Sequence, residues 1–197
     1  MRRAIALDTE TTGLDPLHNH VVEIAFQLVD TETGRRLDSY QNVVALTEAE
    51  WAQAAPKALA VNGFTWAEVR SRGVPRDTIR SDICAFFAKH HLTASTAFFL
   101  CQNPSFDKSF FVQLCPADVQ RKWTFPYHWY DLSSMNWALE ARAIARGEKD
   151  PYAICTSKDG IAWSHGLDRE AAPHRAMNGV DHMLAIYEKI VGFFVPP

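Results

Sequence analysis

Asp8 and Glu10, two residues apart, close the first apolar run of the chain, Arg3 to Leu7. In an extended strand a spacing of two puts both side chains on one face, where paired carboxylates repel unless a cation lies between them. A divalent metal such as Mg²⁺ answers that repulsion, because hard cations take oxygen ligands and keep places in the shell for water and substrate phosphate. The competing reading is two solvated acids at a strand end, and a bare Asp-x-Glu does not separate the two. A general base is also available in kind. His90, His91, His165, His174 and His182 each carry an imidazole able to take a proton from water near neutral pH.

The elements that must position these groups follow from periodicity. Arg3 to Leu7 and Val21 to Val29 read as strands, and Arg36 to Leu46 alternates again after the turn signal Asp30-Thr31-Glu32-Thr33-Gly34. The first 46 residues therefore predict an antiparallel three-stranded meander. Thr47 to Pro75 is mixed. Ile79, Ile83, Phe86 and Phe87 lie at helical spacing within Asp77 to His91, and Thr96 to Cys101 is a short apolar run suited to a buried strand. A helix follows Asn103, Trp129 to Leu132 reads as a short strand, and Ser133 to Arg146 as a helix capped by serines. Ser157 to Gly166 predicts a short helix ended by glycine, and a last amphipathic helix carries Met183, Leu184, Ile186, Tyr187 and Val191. The pattern is α/β, a single mixed sheet of meander plus parallel strands flanked by helices. We read residues 1–197 as one domain.

The chain of 197 residues is 47% hydrophobic and 22% charged, which argues against disorder and against a disulfide-dense miniature fold. Twenty Lys and Arg against twenty-three Asp and Glu leave a net charge of -3, a poor basis for holding long duplex nucleic acid by bulk electrostatics. A short nucleic acid engaged locally remains compatible with that charge. Cys84, Cys101, Cys115 and Cys155 are far apart and lack zinc spacing, so they predict buried free thiols and no structural metal. The N-terminal apolar stretch is too short for a signal peptide or membrane span, which gives the expectation of a soluble cytoplasmic protein with no membrane partner.

The segment Ala6-Leu7-Asp8-Thr9-Glu10-Thr11-Thr12-Gly13-Leu14, with Val22-Glu23-Ile24-Ala25 after it, resembles the first motif of the DEDD-type 3′-to-5′ exonuclease superfamily. Asn103-Pro104-Ser105-Phe106-Asp107 resembles its NxxFD second motif, and Pro173-His174-Arg175-Ala176 the opening of the third motif in the histidine-containing branch. The resemblance covers about residues 4 to 190. It implies a ribonuclease H-like fold, two Mg²⁺ ions on four carboxylates with Mn²⁺ as a substitute, and Asp107 as the third carboxylate. It also implies Glu10 and His174 as catalytic groups, with His174 the general base. Asn103 is placed to cap the helix that carries Asp107, and Phe106 and Phe110 to pin it to the sheet. Glu23 and Asp131 are read as supporting or structural groups.

The third motif departs from the pattern, because the family places its fourth Asp five positions after the histidine and this chain has Gly179 there. Asp181 is the nearest acid. On an unbroken helix a step of five turns about 140° and a step of seven about 20° short of two full turns, so the two placements are not equivalent. If Asn178-Gly179 forms a turn, Asp181 can still serve as the fourth ligand. Otherwise the site has three carboxylates, helped by the neutral oxygen of Asn178.

The resemblance further assigns Thr11, Thr12 and Leu14 to the turn that meets the 3′ terminus. Asn62 and Phe64, in Ala58 to Thr65, fall in the segment over the terminal nucleotide, although an ordinary loop and helix cap also explains them. The expected function is a metal-dependent 3′-to-5′ exonuclease releasing nucleoside 5′-monophosphates from single-stranded or short 3′ ends. The alternative is a catalytically impaired nucleic-acid-binding or scaffolding protein. DNA and RNA substrates are not distinguished, since LDTETTGL resembles proofreading domains, NPSFDKSFF ribonuclease T and HRAM oligoribonuclease. A polymerase partner or a homodimer is equally open.

Overall fold

The computed structural model describes residues 3–150, 152 and 154–193. Five strands form one sheet in the order β3-β2-β1-β4-β5. β1 (Arg3–Thr11), β2 (Val21–Asp30) and β3 (Arg36–Val43) pair antiparallel, and β4 (Ala97–Cys101) and β5 (Trp129–Asp131) add in parallel on the other side of β1. This is the mixed α/β sheet the periodicity predicts, of ribonuclease H-like form. The mixed stretch after β3 folds into three short helices, α1 (Glu48–Trp51), α2 (Pro56–Asn62) and α3 (Trp66–Arg72). Then come α4 (Arg76–Lys89), α5 (Pro104–Leu114), α6 (Ala117–Lys122), α7 (Leu132–Ala145), α8 (Lys158–Ser164) and α9 (Ala176–Ile190).

The two faces of β1 differ in size as well as polarity. Ile5 and Leu7 point to a bulky core with Phe26, Phe99, Phe110, Phe111 and Ile83, shared with α4 and α5. Ala4 and Ala6, with Ala25 of β2, point to the other side and meet Val180, Met183 and Leu184 of α9. Small side chains on that face let α9 lie close to the strand. Alternation then carries Asp8 and Glu10 onto the same face as Ala4 and Ala6.

Several local expectations change. Asn103 does not cap α5: it adopts φ +58°, its side-chain oxygen accepts from the Ser105 hydroxyl, and its N–H donates to Asp131 Oδ1 at 3.0 Å. Asp131, not the serines, caps α7, accepting the N–H groups of Ser133 and Ser134. That carboxylate thus ties the end of β5 to the starts of two helices. Cys84, Cys101 and Cys115 are buried free thiols, while Cys155 is half-buried. Among the described residues no helix is long and apolar enough to cross a membrane.

Candidate active site

Asp8 and Glu10 sit on the α9 side of β1, with Glu10 opposite Glu23 of β2. Asp107, in the first turn of α5, is buried, and the Thr9 hydroxyl donates to its Oδ1 at 2.8 Å. His174 lies on the loop before α9, where its backbone N–H donates to the Val61 carbonyl of α2 at 3.1 Å. Glu23, buried, accepts the N–H of Ala176 at 2.8 Å and so fastens the start of α9 to the sheet. That bond holds the loop bearing His174 over the strand bearing the carboxylates.

Two residues that no motif singled out complete the group. Glu170 offers an oxygen within 4.8 Å of ligand atoms of Glu10 and His174, so that two carboxylates and an imidazole converge. Its side chain is 1% exposed, and its Oε1 has no hydrogen-bond partner among the described residues. Lys158, first residue of α8, places its ammonium 2.6 Å from Glu170 Oε2 and 3.9 Å from Asp8 Oδ1. The only sequence signal for either was indirect. Gly179 left a gap in the charge pattern without saying which residues fill it.

Burial raises the Asp8 carboxyl above its ordinary range, opposed by Lys158 and reinforced by Glu170. Burial, then Asp8 and Glu170, push Glu10 up to about 8. Asp107 is raised by burial and by Asp8, against the Thr9 hydroxyl bond. Burial alone would lower Lys158, but Asp8, Glu170 and Asp107 outweigh it and raise the ammonium. The acids thus want positive charge, and Lys158 supplies one unit of it.

Asp181 is not brought to this group, and the expectation of a fourth ligand there is corrected. α9 runs unbroken from Ala176 through Asn178 and Gly179, so no turn resets its faces. Gly179 faces the site: a Cβ there would stand 2.1 Å from Asp8 Oδ2. Two residues later the helix has turned about 200°. Asp181 accordingly accepts from Gln27 Nε2 at 2.8 Å and pairs with Arg36 at 2.9 Å, on the β2–β3 side.

A cleft of about 380 Å³ opens beside Glu10, walled by Thr11, Leu14, Val61, Asn62 and Phe106. Leu14 is 82% exposed and stands free at its mouth. Thr12 is absent from the wall: it is fully buried, and its Oγ accepts the His20 N–H at 2.8 Å. Thr11 spends its hydroxyl on the Gly13 carbonyl. Asn62 donates to the Thr11 carbonyl at 3.0 Å and accepts the Phe64 N–H at 3.1 Å, which braces the cleft. Phe64 is buried beneath the Arg175 guanidinium, 3.9 Å from its ring centre, so it faces no cleft.

The donor set suits a hard divalent cation. Oxygen ligands predominate, an imidazole completes the group, and the unpartnered buried Glu170 Oε1 is the kind of atom a cation satisfies. The expected set of four carboxylates is changed: Asp181 lies elsewhere, Gly179 supplies no side chain, Glu170 comes in from the loop before α9, and Lys158 lies 3.9 Å from Asp8.

Comparison with known proteins agrees with this architecture. The RNase T family model, described as exonuclease, matches residues 5–187. No curated protein matches the sequence significantly. Among solved structures, *E. coli* exonuclease I in complex with a dT13 oligonucleotide superposes with a TM-score of 0.73 at 16% identity, over 96% of this chain and 42% of that one. The zinc-bound form of the *E. coli* exonuclease I–ssDNA complex gives 0.73 at 18% identity, over 96% and 40%. The chain thus spans about two-fifths of the length of these structural relatives.

Proposed function

The chain belongs to the RNase T exonuclease family, within the DEDD superfamily, and from that premise we propose a metal-dependent 3′-to-5′ exonuclease of the histidine-containing branch. Residues 1–197 act as one exonuclease domain, releasing nucleoside 5′-monophosphates from single-stranded or short 3′ ends. The observation that carries this reading is the position of Glu10. It belongs both to the group with Glu170 and His174 and to the wall of the cleft, so a phosphodiester at the end of a strand in the cleft meets the ligating atoms.

A divalent cation held there, Mg²⁺ or Mn²⁺ in its place, would acidify a water and neutralise charge on the phosphate. His174, 37% exposed and grouped with Glu10 and Glu170, is the base that takes the proton from an attacking water. The water oxygen bonds to phosphorus, the bond to the 3′-oxygen of the preceding nucleotide breaks, and that oxygen leaves as a hydroxyl by taking a proton from solvent water, to which His174 later returns its own. Asp107 and Asp8 contribute negative charge that orients the group, and Asp107 is held in one rotamer by Thr9. Leu14, Val61 and Phe106 offer an apolar wall to a base or sugar. The cleft is of the size of one nucleotide, and the weak net charge of -3 favours few phosphate contacts over a long duplex footprint. The ssDNA-bound structures of *E. coli* exonuclease I support the single-stranded preference.

Gly179 and Lys158 favour a second reading, an impaired enzyme that binds nucleic-acid ends without cutting them. Labelled single-stranded DNA and RNA oligomers incubated with Mg²⁺, Mn²⁺ or EDTA separate the two. Stepwise 3′ shortening with mononucleotide release, abolished by EDTA, is expected. Binding without shortening in either metal rejects the exonuclease.

A further inference from the structure

We propose that this chain binds one divalent cation, held by Glu10 and Glu170 beside the His174 imidazole, and that the Lys158 ammonium is the resident counter-charge of Asp8, closing that carboxylate to a second ion. The inference deepens the exonuclease reading and rests on it for the substrate alone.

Asp8 has two oxygens, and each has a neighbour in the fold that crowds a cation. Oδ1 lies 3.9 Å from the Lys158 ammonium. Oδ2 lies against the backbone of α9 at Gly179, so close that a Cβ at that position would stand 2.1 Å away. The same hypothetical Cβ would be 3.2 Å from Lys158 Nζ, which shows that lysine and helix backbone together occupy the space beside the carboxylate. A cation seated there would need to displace a half-buried ammonium that is itself paired at 2.6 Å with Glu170. Asp107 lends one oxygen to Thr9.

The opposite side of the group is open. Glu10 faces the cleft, His174 is partly exposed with its Nδ1 3.9 Å from Glu170 Oε2, and Glu170 keeps an unpartnered Oε1 while its Oε2 holds Lys158. Water can complete an octahedral shell from the cleft. Repulsion by the ammonium biases an entering ion away from Asp8 and toward Glu10. Glu170 thereby bridges two positive charges, one covalently part of the chain and one from solution. Lys158, Glu170 and Gly179 form one arrangement in which each makes sense of the others.

The test is Mn²⁺ alone titrated into the full chain, followed by calorimetry and by loss of free Mn²⁺ in electron paramagnetic resonance. One ion per chain is expected for the natural sequence. Glu170→Gln, nearly isosteric, is expected to weaken binding at least about tenfold. Lys158→Met is expected to admit a second ion, and Lys158→Arg, which keeps the charge, to stay at one. Two ions in the natural chain, none, or unchanged affinity in Glu170→Gln overturns the proposal, as does a count of one in folded Lys158→Met. Circular dichroism establishes folding, and Glu170→Gln decides the site even if Lys158→Met does not fold. Product analysis is read separately: one bound ion without cleavage removes the exonuclease reading and leaves the ion site, whereas cleavage with two bound ions does the reverse.

Discussion

At Gly179, an added methyl group would stand 2.1 Å from Asp8 Oδ2, well inside contact distance, so even Gly179→Ala must turn the Asp8 carboxylate aside. Alanine gains about 1 kcal/mol of helix propensity over glycine, which offsets part of the strain. We therefore expect the thermal midpoint of Gly179→Ala to stay close to that of the natural chain while nuclease turnover falls by about tenfold or more. A variant with full turnover would show that Asp8 tolerates displacement. Asp181 makes the opposite case. Its carboxylate is 53% exposed and paired with Arg36 away from the site, so Asp181→Asn removes a surface pair worth about 0–1 kcal/mol. Turnover and Mn²⁺ affinity should remain within about twofold, and a severe loss of either would return Asp181 to the site.

Elements explain why some of this was legible in the sequence and some was not. Apolar runs mark β1, β2 and β4 because both faces of each are packed and the near-continuity of apolar residues records it. Asp8, Glu10 and Asp107 were legible because their spacing sits on those elements, and in the structure Asp8 lies within electrostatic reach of both Glu10 and Asp107. Glu170 and Lys158 were not, since a loop acid and a lysine in a first helical turn carry no periodic signal. Their meeting depends on how α8 packs beside α9. The role of Glu23 also needed the fold. It lies inside a strand that reads as apolar, yet its carboxylate accepts from Ala176 N–H and from Gln41 Nε2 at 2.8 Å each. Glu23→Ala should cost about 1–3 kcal/mol in urea denaturation, because buried donors lose their acceptor. It should also lower turnover more than ground-state binding, as the start of α9 and His174 with it lose their anchor on β2. Equal turnover at reduced stability would confine Glu23 to a structural part.

For the molecule as a whole, the acidic centre ties stability to pH and to cation. Glu10 has an ordinary value of 4.5 and is pushed up to about 8 in the folded chain, chiefly by burial and then by Asp8 and Glu170. Below about 4.5 the group is neutral in folded and unfolded chains alike and costs nothing. As pH rises from there toward 8, the unfolded chain releases the proton and the folded one keeps it, so stability falls across that window and levels off above it. Other groups titrate in the same range, and the difference between the natural chain and Glu10→Gln isolates this one. In EDTA, the thermal midpoint of Glu10→Gln should gain on that of the natural chain steadily between pH 5 and 8. A divalent cation reverses the sign, because it binds the ionised carboxylates of the folded chain only. At a hundred times its dissociation constant it adds about 2.7 kcal/mol. Since the ion competes with the proton on Glu10, its affinity should strengthen over the same interval, flattening the decline for the natural chain and leaving Glu10→Gln less changed. Differential scanning calorimetry at pH 5, 6, 7 and 8, with EDTA and with Mn²⁺, reads both slopes. A natural chain that gains stability over Glu10→Gln as pH rises in EDTA would mean that Glu10 is already paired with positive charge, and that the cation site has been assigned to the wrong acid.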